Sequence, residues 1–310
     1  MSFKVWNLSE NQADCFLIVL ETEQNERVTI LVDGNREKSN YKKVKEVIDS
    51  KCEKLDYIVV SHVDDDHLGG IIKMLEDDNW KCAENTKIFY NHIVKGIISY
   101  KQAKRFEELI NGRTILSSYK DDEYPLEDGL LSILSEDNRK LCMEIEKNKN
   151  IKAYLTLIKP AHANLEKVQA DCKQVLANKK QTNAGLINRN SLVFMLEFEG
   201  KKAIFGGDAN WNQIEVTLRN IFESDDYVMD LIKIPHHGAL SNNKKLVDYA
   251  RMHKTKYFIV TGNEQWNKTH PHKDLIKDIG AKCPNAEIYT LIQNMSGAKI
   301  KIESECNIEK

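Results

Sequence analysis

The sequence predicts an α/β protein made of two β-rich halves with helices outside them. Three observations predict it. Short apolar runs rich in β-branched and aromatic residues recur at strand length. Segments with helical spacing separate them. The pattern breaks off in a polar stretch and restarts at Ser191.

Cys15–Leu20 and Val28–Val32 read as the first two strands, the second ending in the turn signal Asp33-Gly34. Lys42–Ser50 has helical spacing at Val44, Val47 and Ile48, and Leu55–Val60 reads as a strand. Ile71–Leu75 suits a short amphipathic helix, Lys87–Asn91 a strand, and residues 99–111 a helix with Ala103, Phe106, Leu109 and Ile110 on one face. Residues 135–150 read as a polar surface excursion. Ala153–Ile158 is a strand, and a helical patch spans Val168–Leu176. Residues 135–190 are thus expected to form an insertion or lid on a single domain spanning 1–310. Ser191–Phe198 and Lys202–Phe205 read as a hairpin turned by Glu199-Gly200-Lys201. Helices at 213–222 and 244–252 then alternate with strands at Asp230–Ile234 and Lys256–Val260.

Composition narrows the function. The chain has 310 residues, 41% hydrophobic and 30% charged, with a net charge of −2. That balance speaks against a strongly basic nucleic-acid clamp but leaves room for a local basic patch. No apolar run approaches the roughly 18 residues of a transmembrane helix, so no membrane insertion is expected. Met1–Asn7 lacks a basic segment followed by an apolar one, so no secretory signal is expected. Seven cysteines without a CxxC pair suit reduced thiols in the cytoplasm.

The chemistry concentrates where strands end. His62, Asp64, Asp66 and His67 fall within six residues just after the Leu55–Val60 strand, followed by Gly69-Gly70. Further clusters follow later strands: Gly206-Gly207-Asp208, Pro235-His236-His237-Gly238 and His270-Pro271-His272. Six of the nine histidines lie in the 62/67, 236/237 and 270/272 pairs. Imidazole suits Zn, Mn or Fe, and carboxylates can bridge two ions. Two divalent ions roughly 3.5–4 Å apart can clamp an oxyanion and share a hydroxide, and metal-bound water is acidic enough to ionise near neutral pH. Plainer readings compete. Asp208 also suits a helix N-cap, and Trp211 and Trp266 suit packing as well as base stacking.

His62-x-Asp64-x-Asp66-His67 with Gly69-Gly70 resembles the signature of the metallo-β-lactamase superfamily, with Asp64 where most members have His. The closest likeness is the hydrolase domain of ComEC-type competence DNA-uptake proteins. Gln12-Ala13-Asp14, Val32-Asp33-Gly34, Asn190-Ser191-Leu192-Val193, Gly206-Gly207-Asp208, Ile234–Gly238 and His270–His272 match in order, over about residues 5–275.

The resemblance implies a four-layer αββα sandwich and two divalent metal ions, Zn or Mn. It implies His62 and Asp64 on one ion, Asp66 and His67 on the other, and Asp208 between them. His270 is favoured as the last ligand, although His236 or His237 also fits. Asp66 and His237 are the expected catalytic residues, His237 as proton donor or oxyanion contact. Asn190, Ser191, His236 and His272 are expected to support the ligands or contact substrate. The superfamily's middle His has no counterpart, so one ion has few protein ligands.

The implied function is a phosphodiesterase or nuclease, with nucleic acid as substrate and a protein partner possible in principle. A hydrolase of a cyclic nucleotide, lactone or thioester, and a metal-binding interaction module, stay open. Oligomeric state is not legible.

Overall fold

The computed structural model describes residues 1–77, 80, 83–90, 101–113, 115–116, 141–145, 153–159, 184–189, 191–222, 226–263, 270–295 and 299–308. Fifteen strands among these residues form two sheets. In chain order β1 (Ser2–Asn7), β2 (Phe16–Glu21), β3 (Arg27–Val32), β4 (Tyr57–Val60), β5 (Lys87–Tyr90) and β6 (Ile115–Leu116) belong to the first. β7 (Leu141–Ile145), β8 (Ala153–Lys159), β9 (Val193–Phe198), β10 (Lys201–Phe205), β11 (Leu231–Lys233), β12 (Tyr257–Ile259), β13 (Glu287–Thr290) and β14 (Ile300–Ile302) belong to the second. β15 (Glu305–Ile308) returns to the first. The orders are β15-β1-β2-β3-β4-β5-β6 and β14-β13-β12-β11-β10-β9-β8-β7.

Side-chain alternation builds the layers. Phe16, Ile18 and Leu20 of β2 meet Phe194, Leu196, Phe198 and Phe205 of the second sheet in a core between the sheets. Leu17 and Val19 point the other way, into a core with Val44 and Ile48 of α1 (Tyr41–Lys51), Leu68 and Ile71 of α2 (Asp65–Leu75) and Phe106 of α3 (Lys101–Ile110). A short α4 (Ala184–Arg189) adds Ile187 there. On the far side, Met195, Ile204 and Ile232 pack under α5 (Trp211–Ile221), α6 (Leu246–Met252) and α7 (Lys273–Lys282). The result is the αββα sandwich that the resemblance implies.

β3-β4-β5-β6 and β10-β11-β12-β13-β14 run parallel. Parallel strands linked by helices present their carboxyl ends along one edge. Asp33, His62, Asp208, His237 and Thr261 each follow such an end. Packing holds those ends still. Phe205 stacks on Phe194 at 5.2 Å and meets Phe16 at 6.1 Å, just before Gly206-Gly207-Asp208. Burying a ring of this size contributes about 1.5–3 kcal/mol.

Several elements differ from the sequence reading. α2 starts at Asp65, inside the ligand motif, instead of at Ile71. Its second and third residues are therefore Asp66 and His67. Gly70 permits this: a Cβ there would lie 1.7 Å from the Gly34 carbonyl oxygen. Residues 141–145 are a strand paired with β8, not a surface excursion. The Val168–Leu176 patch lies outside the described residues.

Candidate metal centre

His62 sits on the turn after β4, and Asp66 and His67 occupy the first turn of α2. Asp64 is the N-cap residue of that helix, yet its side chain accepts no capping hydrogen bond. Its Oδ2 lies 3.8 Å from His62 Nε2, with the carboxylate 30% exposed. From the second sheet, Asp208 follows β10 and His237 follows β11. Asn210, not Asp208, caps α5. Gly207 turns the chain with φ +47°, against Ser191 and Ser61, and leaves no room for a side chain.

His62, Asp66, His67, Asp208 and His237 converge. His67 Nε2 lies 3.4 Å and His237 Nε2 3.7 Å from Asp208 Oδ1, and His237 Nε2 lies 3.8 Å from Asp66 Oδ2. The His62 and His67 rings are 4.0 Å apart, and His67 and His237 5.6 Å. Ligand atoms of His62, His67 and Asp208 lie within 4.8 Å of one another, as do those of Asp66, His67 and His237.

Each imidazole is tied down through its other nitrogen. His67 Nδ1 is 2.7 Å from Asp33 Oδ2. The Ser61 hydroxyl and backbone N–H donate to the same carboxylate, each at 2.7 Å. With its proton given to Asp33, Ser61 Oγ accepts from His62 Nδ1 at 3.0 Å. Ser191 Oγ lies 3.4 Å from that nitrogen and accepts the Asp208 backbone N–H. His237 Nδ1 is 2.8 Å from Thr261 Oγ1, whose hydroxyl donates to Asp14 Oδ1 at 2.8 Å. All three rings therefore carry hydrogen on Nδ1 and leave Nε2 for the carboxylates of the site. Nε2 of His62, His67 and His237 and Oδ1 of Asp208 are buried without a hydrogen bond of normal geometry. Buried polar atoms normally find partners, so this convergence fits a bound cation.

The electrostatics agree. Burial works against charge on His67, yet Asp33 and Asp208 outweigh it and lift its pKa well above the usual imidazole range. His237 is lifted to about 9 in the same way, Asp208 and Asp14 overcoming burial. Asp208 stays far below the usual carboxylate range because His237 and His67 outweigh its burial. Asp66 is held at about 2 by His237 and His67 despite burial. Burial drives His62 down to about 3, with His67 adding to it. Burial, then Asp66, push Asp64 up to about 6. Protons on His67 and His237 supply the positive charge these carboxylates demand. A divalent cation would supply it instead and take both Nε2 lone pairs.

The remaining residues singled out from sequence fall around this centre. His236 lies at its mouth, 27% exposed, with Nε2 3.7 Å from Asp208 Oδ2. His270 sits beside His236, ring centroids 5.6 Å apart, and joins none of the ligand clusters. The ring that meets Asp66, His67 and Asp208 is His237, where sequence favoured His270. His272 caps α7, accepting the Asp274 N–H at 3.2 Å. Trp211 packs on Tyr249 inside the helix layer. Asn190 and Trp266 lie outside the described residues.

Asp14, Asp33, Ser61, Thr261 and Lys233 were given no role from sequence. Asp14 and Asp33 lie in the Gln12-Ala13-Asp14 and Val32-Asp33-Gly34 motifs. Lys233 carried its own signal, a lysine inside the apolar run Leu231-Ile232-Lys233-Ile234.

No protein family and no curated protein matches the chain by sequence. Solved structures do match. The metallo-β-lactamase fold protein YhfI from Bacillus subtilis is 12% identical, with 99% of each chain covered and a TM-score of 0.50. Igni18, a metallo hydrolase from Ignicoccus hospitalis, is 10% identical over 100% of both chains, TM-score 0.48. Tm1679, a metal-dependent hydrolase of the β-lactamase superfamily, is 12% identical over 93% of this chain and 95% of that one, TM-score 0.49. At such identity the likeness to YhfI speaks for architecture alone: two facing sheets between helix layers give this chain the metallo-β-lactamase fold.

Proposed function

We propose that the protein is a metal-dependent hydrolase that cleaves phosphodiesters, with nucleic acid as the substrate class. The observation that carries the metal dependence is that Nε2 of His62, His67 and His237 and Oδ1 of Asp208 are buried without a hydrogen bond of normal geometry, in overlapping clusters of ligand-type atoms within 4.8 Å of one another. One Nε2 lone pair serves one ion, so His67 cannot complete both ligand triangles, whereas a carboxylate can bridge. Two ions would then divide the set: His62 and Asp64 on one, Asp66, His67 and His237 on the other, with Asp208 shared. The oxygen-rich set suits Mn²⁺ as well as Zn²⁺.

Such ions supply Lewis acidity and an activated water, chemistry matched to in-line attack at phosphorus. The chain's own residues orient and handle protons. Asp33, Ser61 and Thr261 fix ring tautomers. Arg36 Nη2 donates to Asp66 Oδ2 at 2.9 Å and steadies that carboxylate. His236 presents Nε2 at the mouth, where it can protonate a leaving oxygen, the role sequence gave to His237. The likeness of the motifs to the competence DNA-uptake domain supports the polymer substrate. Four described cysteines, 15, 52, 283 and 306, are buried and free of disulfides, which supports a cytoplasmic setting. No helix among the described residues is long and apolar enough to cross a membrane.

The test is elemental analysis of the purified protein, then chelation and reloading with Mn²⁺ or Zn²⁺. The loaded protein is assayed on bis(p-nitrophenyl) phosphate, single- and double-stranded DNA and RNA, a β-lactam and a lactone. Metal-dependent phosphodiester cleavage is the expected result. Turnover of only the lactam or lactone would overturn the substrate class, and failure to bind either ion would overturn the metal centre.

A further inference from the structure

A lysine in the middle of an apolar strand is costly to bury unless it is paired. Lys233 is 1% exposed. Its Nζ crosses between the sheets to Asp14 Oδ2 and also donates to the Gly207 carbonyl at 3.2 Å. Asp14 lies in the β1–β2 connection of the opposite sheet, equally buried.

That one carboxylate reaches both halves of the site. Its Oδ2 is 3.8 Å from His67 Nδ1. Its Oδ1 accepts the Thr261 hydroxyl and lies 3.4 Å from His237 Nδ1. Its backbone N–H donates to the Asp66 carbonyl at 3.0 Å, and its carbonyl accepts the Asn35 N–H at 2.8 Å. By distance alone Asp14 belongs to two ligand clusters, with Asp33 and His67 and with Asp208 and His237. It stands on the Nδ1 side of both rings, however, and Lys233 occupies its Oδ2. The pair is therefore behind the ligands, not among them.

We infer that Asp14 and Lys233 form a clamp between the sheets that positions the ion-binding rings of both halves, with Thr261 as its link to His237. This rests on the metal centre proposed above. A buried ion pair is a poor device for stability alone, since apolar replacement of both partners is often neutral or stabilising. Here it sets the distance between His67 and His237, which no local turn can set because they come from different sheets.

The experiment measures Zn²⁺ and Mn²⁺ affinity of the full-length protein by competition with a chelator, the Co²⁺ absorption spectrum, and Tm. Lys233→Met alone strands a buried carboxylate and is expected to lower Tm, so the double variant Asp14→Asn/Lys233→Met carries the test beside Thr261→Val. Both are expected to keep Tm within a few degrees, lose about 10–100-fold in ion affinity, and shift the Co²⁺ spectrum. Thr261→Ser restores binding. Wild-type affinity and spectrum in both Thr261→Val and the double variant would overturn the clamp while leaving the metal centre standing. A wild-type protein that binds no ion would overturn both.

Discussion

The two halves of the molecule contribute to the centre in different ways. The first supplies His62, Asp64, Asp66 and His67 from a single strand-to-helix turn. The second supplies Asp208 and His237 from the ends of two parallel strands. In the first half, Ser61 holds its neighbour His62, and Asp33, just past the end of the adjacent strand, holds His67. In the second, orientation depends on strand register, on Gly207 and on contacts across the sheets. Both halves have left-handed backbone beside the site, the first at Asp33, φ 56°. His236 and His237 both have left-handed backbones, φ 50° and 48°. Such conformations cost on the order of 1–3 kcal/mol each and persist where the surroundings impose them. A local motif is robust and visible in sequence; a ligand set assembled from distant strand ends is built by the fold.

Asp208 is where the halves join, so Asp208→Ala should have the largest effect. Turnover is expected to fall by about 10³-fold or more, with the ion content of the purified protein reduced. A variant with ordinary ion content and activity would show that the halves work separately. Asp33→Asn acts within the first half alone. It should weaken ion binding by about 10–100-fold, read by chelator competition, while His237 keeps its environment, read by the chemical shifts of its ring nitrogens.

The smallest effect is on pH dependence, and it sets His62 apart by sign from His67 and His237. His237 in the second half has a folded pKa of about 9, above the unfolded value of 6.5. Its contribution to the stability of the metal-free protein is full below 6.5 and lost as pH rises to about 9. His62 in the first half has a folded pKa of about 3, below 6.5. Its contribution is present above 6.5 and lost as pH falls toward 3. Metal-free protein should therefore lose a few degrees of Tm between pH 6.5 and 9. Metal-loaded protein should hold its Tm over the same window, because with the ion in place His237 has no Nε2 proton to lose. A metal-free Tm that rises through this window would break the assignment.

The first half was legible because its information is local. Strand, turn and ligands occur within Leu55–Gly70, and one apolar run ending in His and Asp conveys all three. The restart at Ser191 and the hairpin to Phe205 were legible for the same reason. The lone Lys233 was not read as part of the site because its partner lies in the other sheet. Asp33 was visible as part of a turn and Asp14 as part of a motif the resemblance matches, but nothing in their own neighbourhoods says which imidazole they face. The start of α2 was placed too late because Asp65, Asp66 and His67 read as ligands, although acidic residues also suit a helix start. β7 was hidden in a polar stretch whose pairing with β8 is a tertiary fact.

By itself the sequence determined the fold class, the strand-end position of the chemistry and the four ligand-type residues of the first turn, His62, Asp64, Asp66 and His67. Each follows from side-chain periodicity or from residues adjacent along the chain. Only the tertiary structure brought His237 to Asp66, His67 and Asp208, where the resemblance favoured His270. That placement follows from the parallel register of β10, β11 and β12. It also revealed the Asp14–Lys233 pair, because two charges that neutralise each other across the core leave no pattern in either strand.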